Sequence, residues 1–233
     1  MKTNTGSLYL VGALLLAGCA STGTLGPNRS ELARMKETEA AEIRAITHAP
    51  AEFELLSAKK AAAGGLFGIV GAAAAGNSMQ KAGQEMITTY RVVDPSIMVR
   101  EKIAVAFANE FGIKSAPDSA PTSDDLGALK GRFGEATILD TRTRNWRLSY
   151  YPGDWSHHFL AYSVRARLLR LSDGKVLWEG QCVRKLTDAK GARRTVDQFR
   201  ANDGELLKQK MQEAGSGCAD ELIAGLSVKV AAQ

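Results

Sequence analysis

Histidine and cysteine are scarce in this chain, three of each in 233 residues. The histidines are His48, His157 and His158. Adjacent residues on a strand point to opposite faces, so His157 and His158 make a poor chelating pair. With Asp154 and Tyr151 they could be drawn as a metal or acid–base site, but residues beside a turn are expected to be solvated. No serine stands in a nucleophile elbow, no phosphate loop occurs, and the glycine-rich stretch lacks the dinucleotide fingerprint. No catalytic residue, metal or cofactor is therefore expected. Long apolar runs are also missing. Residues 8–16 (LYLVGALLL) are uncharged, yet far short of the roughly 20 residues of a spanning helix.

What is present begins with the amino end. Lys2 is the sole charge before Arg29. A basic start, a short apolar core and small residues at the exit are the anatomy of a secretory signal peptide, here residues 1–18. The exit, Leu16-Ala17-Gly18-Cys19, resembles the lipobox of bacterial lipoproteins. That resemblance implies a diacylglyceryl group (palmitate-type chains) on the Cys19 thiol, removal of the peptide before it, and acylation of the new amine. Each buried CH₂ contributes about 0.8 kcal/mol, so two or three chains make a stable anchor. Ala20 and Ser21 follow, with no Asp at the second position. In lipoproteins of two-membrane bacteria that pattern implies the outer membrane, facing the periplasm.

Without Lys2 the formal charge is +4 rather than +5. A modest basic excess suits anionic glycolipid, cell-wall polymer or phospholipid, though many proteins that bind none of these share it. No nucleic-acid module is present, and nucleic acid is not an expected partner. If Cys19 carries lipid, Cys182 and Cys218 remain in an oxidising compartment, 36 positions apart. A disulfide between them is the natural reading. Two buried free thiols or a redox pair are the alternatives, although catalytic redox pairs usually have two intervening residues.

Residues 19–29 read as a small, polar tether. Ser30 then reads as an N-cap, and Leu32, Met35, Ile43 and Ile46 follow at helical spacing. This predicts one amphipathic helix ending before Pro50, within an N-terminal helical region of residues 30–85. Residues 61–75 (AAAGGLFGIVGAAAA) carry no charge. On a helix, Gly64, Gly68, Gly71 and Ala75 fall on one ridge of small residues. Such ridges let helix backbones approach closely. Each interior glycine costs nearly 1 kcal/mol, so a packed neighbour is expected to offset it. That neighbour is the domain itself or a sister subunit; insertion into a membrane or pore, and a disordered loop, are the other readings.

Residues 86–233 read as an α+β domain. Residues 87–93 (ITTYRVV) are β-branched and predict a short strand. Asp94 and Pro95 open a helix, as N-cap and first helical position. Val99, Ile103, Ala106, Phe107 and Phe111 line one face, and Gly112 stops it. Residues 115–125 read as loop, followed by a short helix over 123–132 closed by Gly134. Residues 136–151 read as a strand, with a turn at Pro152-Gly153-Asp154. Residues 158–171 and 175–186 form the clearest hairpin, around Ser172-Asp173-Gly174. Its register pairs Leu168 with Trp178, Ala166 with Gly180 and Val164 with Cys182 on an apolar face. Arg167 pairs with Glu179 on the other, as cross-strand energetics favour. A last helix starts near Asn202 or Asp203 and runs past Cys218. Its core positions are Leu206, Leu207, Met211, Cys218, Leu222 and Leu226, with Gly215 and Gly217 as interruptions.

Several features together resemble an uncharacterised family of proteobacterial outer-membrane lipoproteins. They are the lipobox, the GGLFG run at 64–68, Asp94-Pro95, the set Thr143, Trp146, Tyr150 and Tyr151, the strand from Gly174 through Trp178 to Cys182, and the helix bearing Cys218. The family brings no established activity. The order of elements is also similar to curli-assembly lipoproteins and to the amino-terminal domain of the Tol system's propeller protein, an analogy of fold alone.

The expectation is one α+β domain, a small antiparallel or mixed sheet with helices on one side, on a lipidated tether. Its expected role is a non-enzymatic envelope lipoprotein, an accessory or assembly partner held to the membrane by lipid. An envelope protein or a second copy of the chain is the expected partner. The rival is a binding module for an envelope glycan or lipid, using Arg147, Tyr150, Tyr151 and Trp155, near Arg142 and Arg144. An unrecognised hydrolase is the third reading.

Overall fold

Alternation of buried and exposed residues organises the three long strands that carry this fold. The computed structural model describes residues 28–37, 42–57, 62, 68–118, 123 and 125–227. The leader, Cys19, the tether up to residue 27 and Gly64 lie outside the described residues. Among the described residues the order is α1 (Arg29–Glu37), β1 (Glu42–Thr47), β2 (Glu54–Leu55), α2 (Gly68–Tyr90), α3 (Ser96–Phe111), β3 (Lys114–Asp118), α4 (Leu126–Phe133), β4 (Thr137–Tyr151), β5 (Asp154–Arg170), β6 (Lys175–Leu186), β7 (Arg194–Thr195) and α5 (Val196–Ser227). The fold is α+β with an open, mixed, seven-stranded sheet in the order β3-β1-β4-β5-β6; β2 pairs with β4 and β7 with β5. β1 runs parallel to both β3 and β4, whereas β4, β5 and β6 are antiparallel.

One face of the sheet carries Ile43, Leu139, Trp146, Leu160, Val164 and Trp178 into the main core, where α3 and α5 supply Val99, Phe107, Leu207 and Met211. Trp178 meets Phe107 edge-on, with ring centroids 5.6 Å apart, the geometry the aromatic quadrupole favours. A second, smaller core on the other face joins Leu129 of α4 to Ile46, Ile138, Leu169 and Leu171. Helices thus lie on both faces, not on one as expected, because α4 turns its one buried residue, Leu129, onto the second face.

The hairpin register of β5 and β6 pairs Val164 with Cys182, Ala166 with Gly180, Arg167 with Glu179 and Leu168 with Trp178. The turn differs from the expected three-residue loop. Arg170 pairs with Lys175, and an irregularity between Leu168 and Leu169 restores the register further in. A disulfide joins Cys182 of β6 to Cys218 of α5, with sulfurs 2.06 Å apart, tying the helix to the strand it covers.

Four local expectations are corrected. Ile43 and Ile46 are not helical; they lie in β1, where Ile43 enters the main core and Ile46 the second. A three-residue spacing fits a helix, but tertiary packing on both sheet faces decided it. The region of residues 30–85 is consequently not wholly helical, since it gives β1 and β2 to the sheet. Residues 87–90 are the end of α2 rather than a strand, since Met86 and Ile87 are anchored in the core and local β-propensity is a weak preference. Residues 114–118 form β3 despite Pro117, which an edge strand tolerates because its outer N–H needs no partner.

A short helical segment from Val196 precedes the last continuous helix, which begins after Gly204, close to the expected start near Asn202 or Asp203. Thr195 and Gln198 cap each other: Gln198 N donates to Thr195 Oγ1 (3.3 Å) and Thr195 N to Gln198 Oε1 (2.9 Å), a capping box. A break follows at Ala201–Gly204, where Asn202, Asp203 and Gly204 take positive φ. Gly215 and Gly217 do not interrupt α5. A β-carbon at Gly215 would stand 2.8 Å from Pro95 Cβ, so this glycine lets α5 lie close against the start of α3.

Candidate functional site

Beyond α4, the second face of the sheet carries no helix among the described residues. Rows of residues cross it from β4 through β5 to β6. They read Arg142–Arg165–Gln181, then Asn145–Ser163–Val183, then Arg147–Ala161–Lys185. Paired residues in an antiparallel ladder share a face, so the middle strand presents small side chains between long ones. The result is a shallow trough along β5, floored by Ser163 and Ala161. Val183, on the β6 side, is 49% exposed, whereas Ser163 and Ala161 are buried. Strand spacing places the backbones of Arg147 and Lys185 about 10 Å apart, and the rows of Arg165 and Ala161 about 13 Å apart.

The trough is cationic. Arg147 Nη1 lies 3.8 Å from Glu54 Oε2, while its buried Nε makes no hydrogen bond among the described residues. Lys185 is exposed. At the inner end sits Asp140, fully buried. Its Oδ1 meets His48 Nε2, and its Oδ2 accepts from Arg167 Nε (2.5 Å) and Arg165 Nη2 (3.2 Å). Burial alone would raise the Asp140 pKa; the His48 hydrogen bond and the charges of His48, Arg167 and Arg165 outweigh it and hold it below the ordinary value. The carboxylate is thus ionised and fixes the arginine stems along β5.

At the outer end, the turn at Gly153 (φ 73°) brings Asp154 back beside Tyr151. Asp154 accepts from His157 Nδ1 (2.7 Å), Arg193 Nη1 (2.9 Å) and Ser156 Oγ (3.1 Å). The His157 bond, then the Arg193 bond, hold its carboxyl well below the usual carboxylate range. The Arg193 guanidinium lies 3.9 Å over the Tyr151 ring, and the Tyr151 hydroxyl accepts from Asp188 N at 2.7 Å. His158 faces the other way: its Nε2 donates to Leu56 O at 3.0 Å. Burial, the largest influence, pushes its pKa down. Trp155 stands at the tip, 66% exposed.

The four residues expected to form one ligand surface are therefore divided. Arg147 and Tyr151 share the open face, since Tyr151 contacts Phe159 (centroids 5.1 Å apart) and Phe159 and Ala161 alternate on one side of β5. Tyr150 pairs with His158 on the opposite face. Trp155 lies at the tip beyond both. Strand alternation could have separated Tyr150 from Tyr151. Nothing local announced Lys185 as a neighbour of Arg147, because that contact passes through a third strand.

A second buried network lies on the helix-covered face. Asp94 Oδ1 accepts from Ser96 N (2.9 Å) and from Thr143 Oγ1 (2.5 Å), and Thr143 lies 3.3 Å from Tyr162 OH. Asp94 therefore caps α3 and also pins it to β4. Burial, with the Asp94 charge, raises the Tyr162 pKa far above the normal phenol value, so this hydroxyl stays protonated and serves structure. Among the described residues, no group of three His, Cys, Asp or Glu is placed to hold a metal, and no helix is long and apolar enough to cross a membrane.

Of the glycine ridge, Gly68 and Gly71 fall in the first turn of α2. The glycine that meets a neighbouring backbone is instead Gly83, against Phe53 and Leu55.

No family model matches the chain, and no curated protein is similar to it. Solved structures that resemble it include three bacterial proteins. The PelC dodecamer of Paraburkholderia phytofirmans is 8% identical, covering 81% of this chain and 89% of that one, with a TM-score of 0.35. A homologue of the neuraminyllactose-binding hemagglutinin from Helicobacter pylori is 8% identical, covering 82% and 86%, with a TM-score of 0.35. The lipoprotein GNA1162 of Neisseria meningitidis is 19% identical, covering 75% and 99%, with a TM-score of 0.25.

Proposed function

We propose that this chain is a non-enzymatic lipoprotein of a bacterial envelope. It is held by lipid on Cys19 at the outer membrane, faces the periplasm, and works as an accessory or assembly partner. The observation that carries this reading is the Cys182–Cys218 disulfide. A buried bridge between two elements of the core belongs to an oxidising compartment. It also leaves Cys19 as the one thiol outside the pair, at the end of an apolar leader.

Asn28 N donates to Leu177 O at 2.9 Å, so the chain after the tether joins the sheet beside the β5–β6 turn. The exposed hairpin tip with Trp155 is at the other end of β5. Val93 and Val105, 67% and 59% exposed, offer faces for an envelope protein or a second copy. Crosslinking in intact cells, followed by mass identification of neighbours, tests this role. Gly68→Leu or Gly71→Leu should change the partners or the oligomeric state; an unchanged set counts against the assembly reading. The open trough supports a second reading, the binding of an envelope glycan or lipid.

A further inference from the structure

We propose that the outer edge of β6 pairs with the same edge of a second copy of this chain, joining two sheets across a two-fold axis. This rests on the assembly reading above and names its partner. In the order β3-β1-β4-β5-β6, β6 is an edge strand bonded to β5 alone. Both ends of that edge are taken. Asn28 N donates to Leu177 O at one end. Past Leu186, at the other end, β7 lies beside β5 and pairs with His157 and His158. Between them, from Trp178 to Leu186, no backbone group of the described residues pairs with the outer side. A bare edge is a template for another strand unless the sequence blunts it. The opposite edge is blunted, since β3 has 5 residues and contains Pro117. By contrast, β6 runs for 12 residues without proline.

Charge selects the occupant. Alternate residues of a strand share a face. Glu179, Gln181, Val183 and Lys185 therefore lie together, opposite the face on which Cys182 is tied to α5. Glu179 is half-buried and Lys185 exposed. Neither forms a salt bridge among the described residues; Arg167, across from Glu179, donates to Asp140. Antiparallel pairing of two β6 strands about Cys182 sets Glu179 of each copy opposite Lys185 of the other, and Gln181 opposite Val183. Opposite charges directly across favour a pairing, and two-fold symmetry supplies this one twice. Moving the centre to Gln181 or Val183 loses it, leaving Glu179 opposite Val183 or Lys185 opposite Gln181. The tether, which leads to Asn28, is the other candidate occupant. Its residues 20–27 (ASTGTLGP) carry no charge and so offer nothing to Glu179 or Lys185.

The test uses the full chain, purified with its lipid in neutral detergent, in sedimentation corrected for bound detergent. A dimer that dissociates on dilution is expected. Within one chain Glu179 and Lys185 are about 20 Å apart along β6, so a zero-length carbodiimide link between them joins two copies. Mass mapping should find that link. Lys185→Glu should weaken self-association by about tenfold or more, because both pairs become like-charged. The charge swap, Glu179→Lys with Lys185→Glu, should restore the parental dimer, a rescue that misfolding would not show. A dimer without the link, or one unchanged by Lys185→Glu, overturns the proposal and leaves assembly through another face. A monomer overturns it too; the assembly reading then survives only if crosslinking in intact cells finds a different protein.

Discussion

Gly83 of α2 lies against the backbone of Phe53, so closely that a β-carbon would overlap the Phe53 carbonyl oxygen and stand 2.7 Å from its carbon. The helix crosses the segment leading into β2 at this point, and no side chain could occupy the crossing. Ordinarily Gly→Ala within a helix gains up to about 1 kcal/mol. Gly83→Ala should instead destabilise by about 1–3 kcal/mol, the cost of overpacking. Gly76→Ala, seven residues earlier in α2, meets nothing within 4 Å and should be neutral or stabilising. Thermal melts of the two variants, compared directly, check this.

The Cys182–Cys218 bridge closes a loop of 36 positions. Chain-entropy reasoning gives such a loop about 3–4 kcal/mol. Paired substitution to Ala, or reduction, should lower stability by that order in denaturant titrations, while the β5–β6 hairpin keeps its strand signal. Non-reducing mass mapping should recover the two cysteines in one linked peptide pair.

The parts of this fold that were legible in the sequence are those decided by neighbours in the chain. The β5–β6 register follows from matching an apolar face across a short turn, with Arg167 opposite Glu179 on the other. Gly112 and Gly134 stop α3 and α4 with positive φ. What was not legible depends on distant partners. Ile43 and Ile46 satisfy helical spacing, yet β1 is held between β3 and β4, whose residues come about 70 and 95 positions later. The candidate site divides the same way. Arg147 and Trp155 could be picked out as polar or aromatic residues near a turn, but Lys185 joins Arg147 through Ala161 of an intervening strand.

Acid should weaken the fold in two stages. His158 has a folded pKa below its ordinary 6.5, chiefly through burial, so the unfolded chain binds its proton more readily. Its contribution is full above about pH 6.5 and is lost as pH falls through the lower folded value. His158→Gln, which can still donate toward Leu56 O, should flatten the change in melting temperature between pH 7.5 and pH 5.5. Asp140, also lowered, contributes above its ordinary 3.8 and fails at more acid pH.

Asp140 offers a second check at neutral pH. One of its oxygens meets His48 and the other accepts from Arg165 and Arg167, with no exposure to solvent. Breaking a buried charge cluster by removing one member costs about 3–5 kcal/mol. Asp140→Ala should approach that cost, and Asp140→Asn, which retains hydrogen bonding, should lose less. Denaturant midpoints of the two variants rank them.

The central claim concerns the thiol that the disulfide leaves over. Mass analysis of the protein from intact cells tests it most directly. The account predicts that the mature chain begins at Cys19 and that its first peptide carries diacylglycerol, with Cys19→Ala abolishing both the lipid and membrane fractionation. A mature chain that retains residues 1–18, or one whose Cys19 is unmodified, would contradict it.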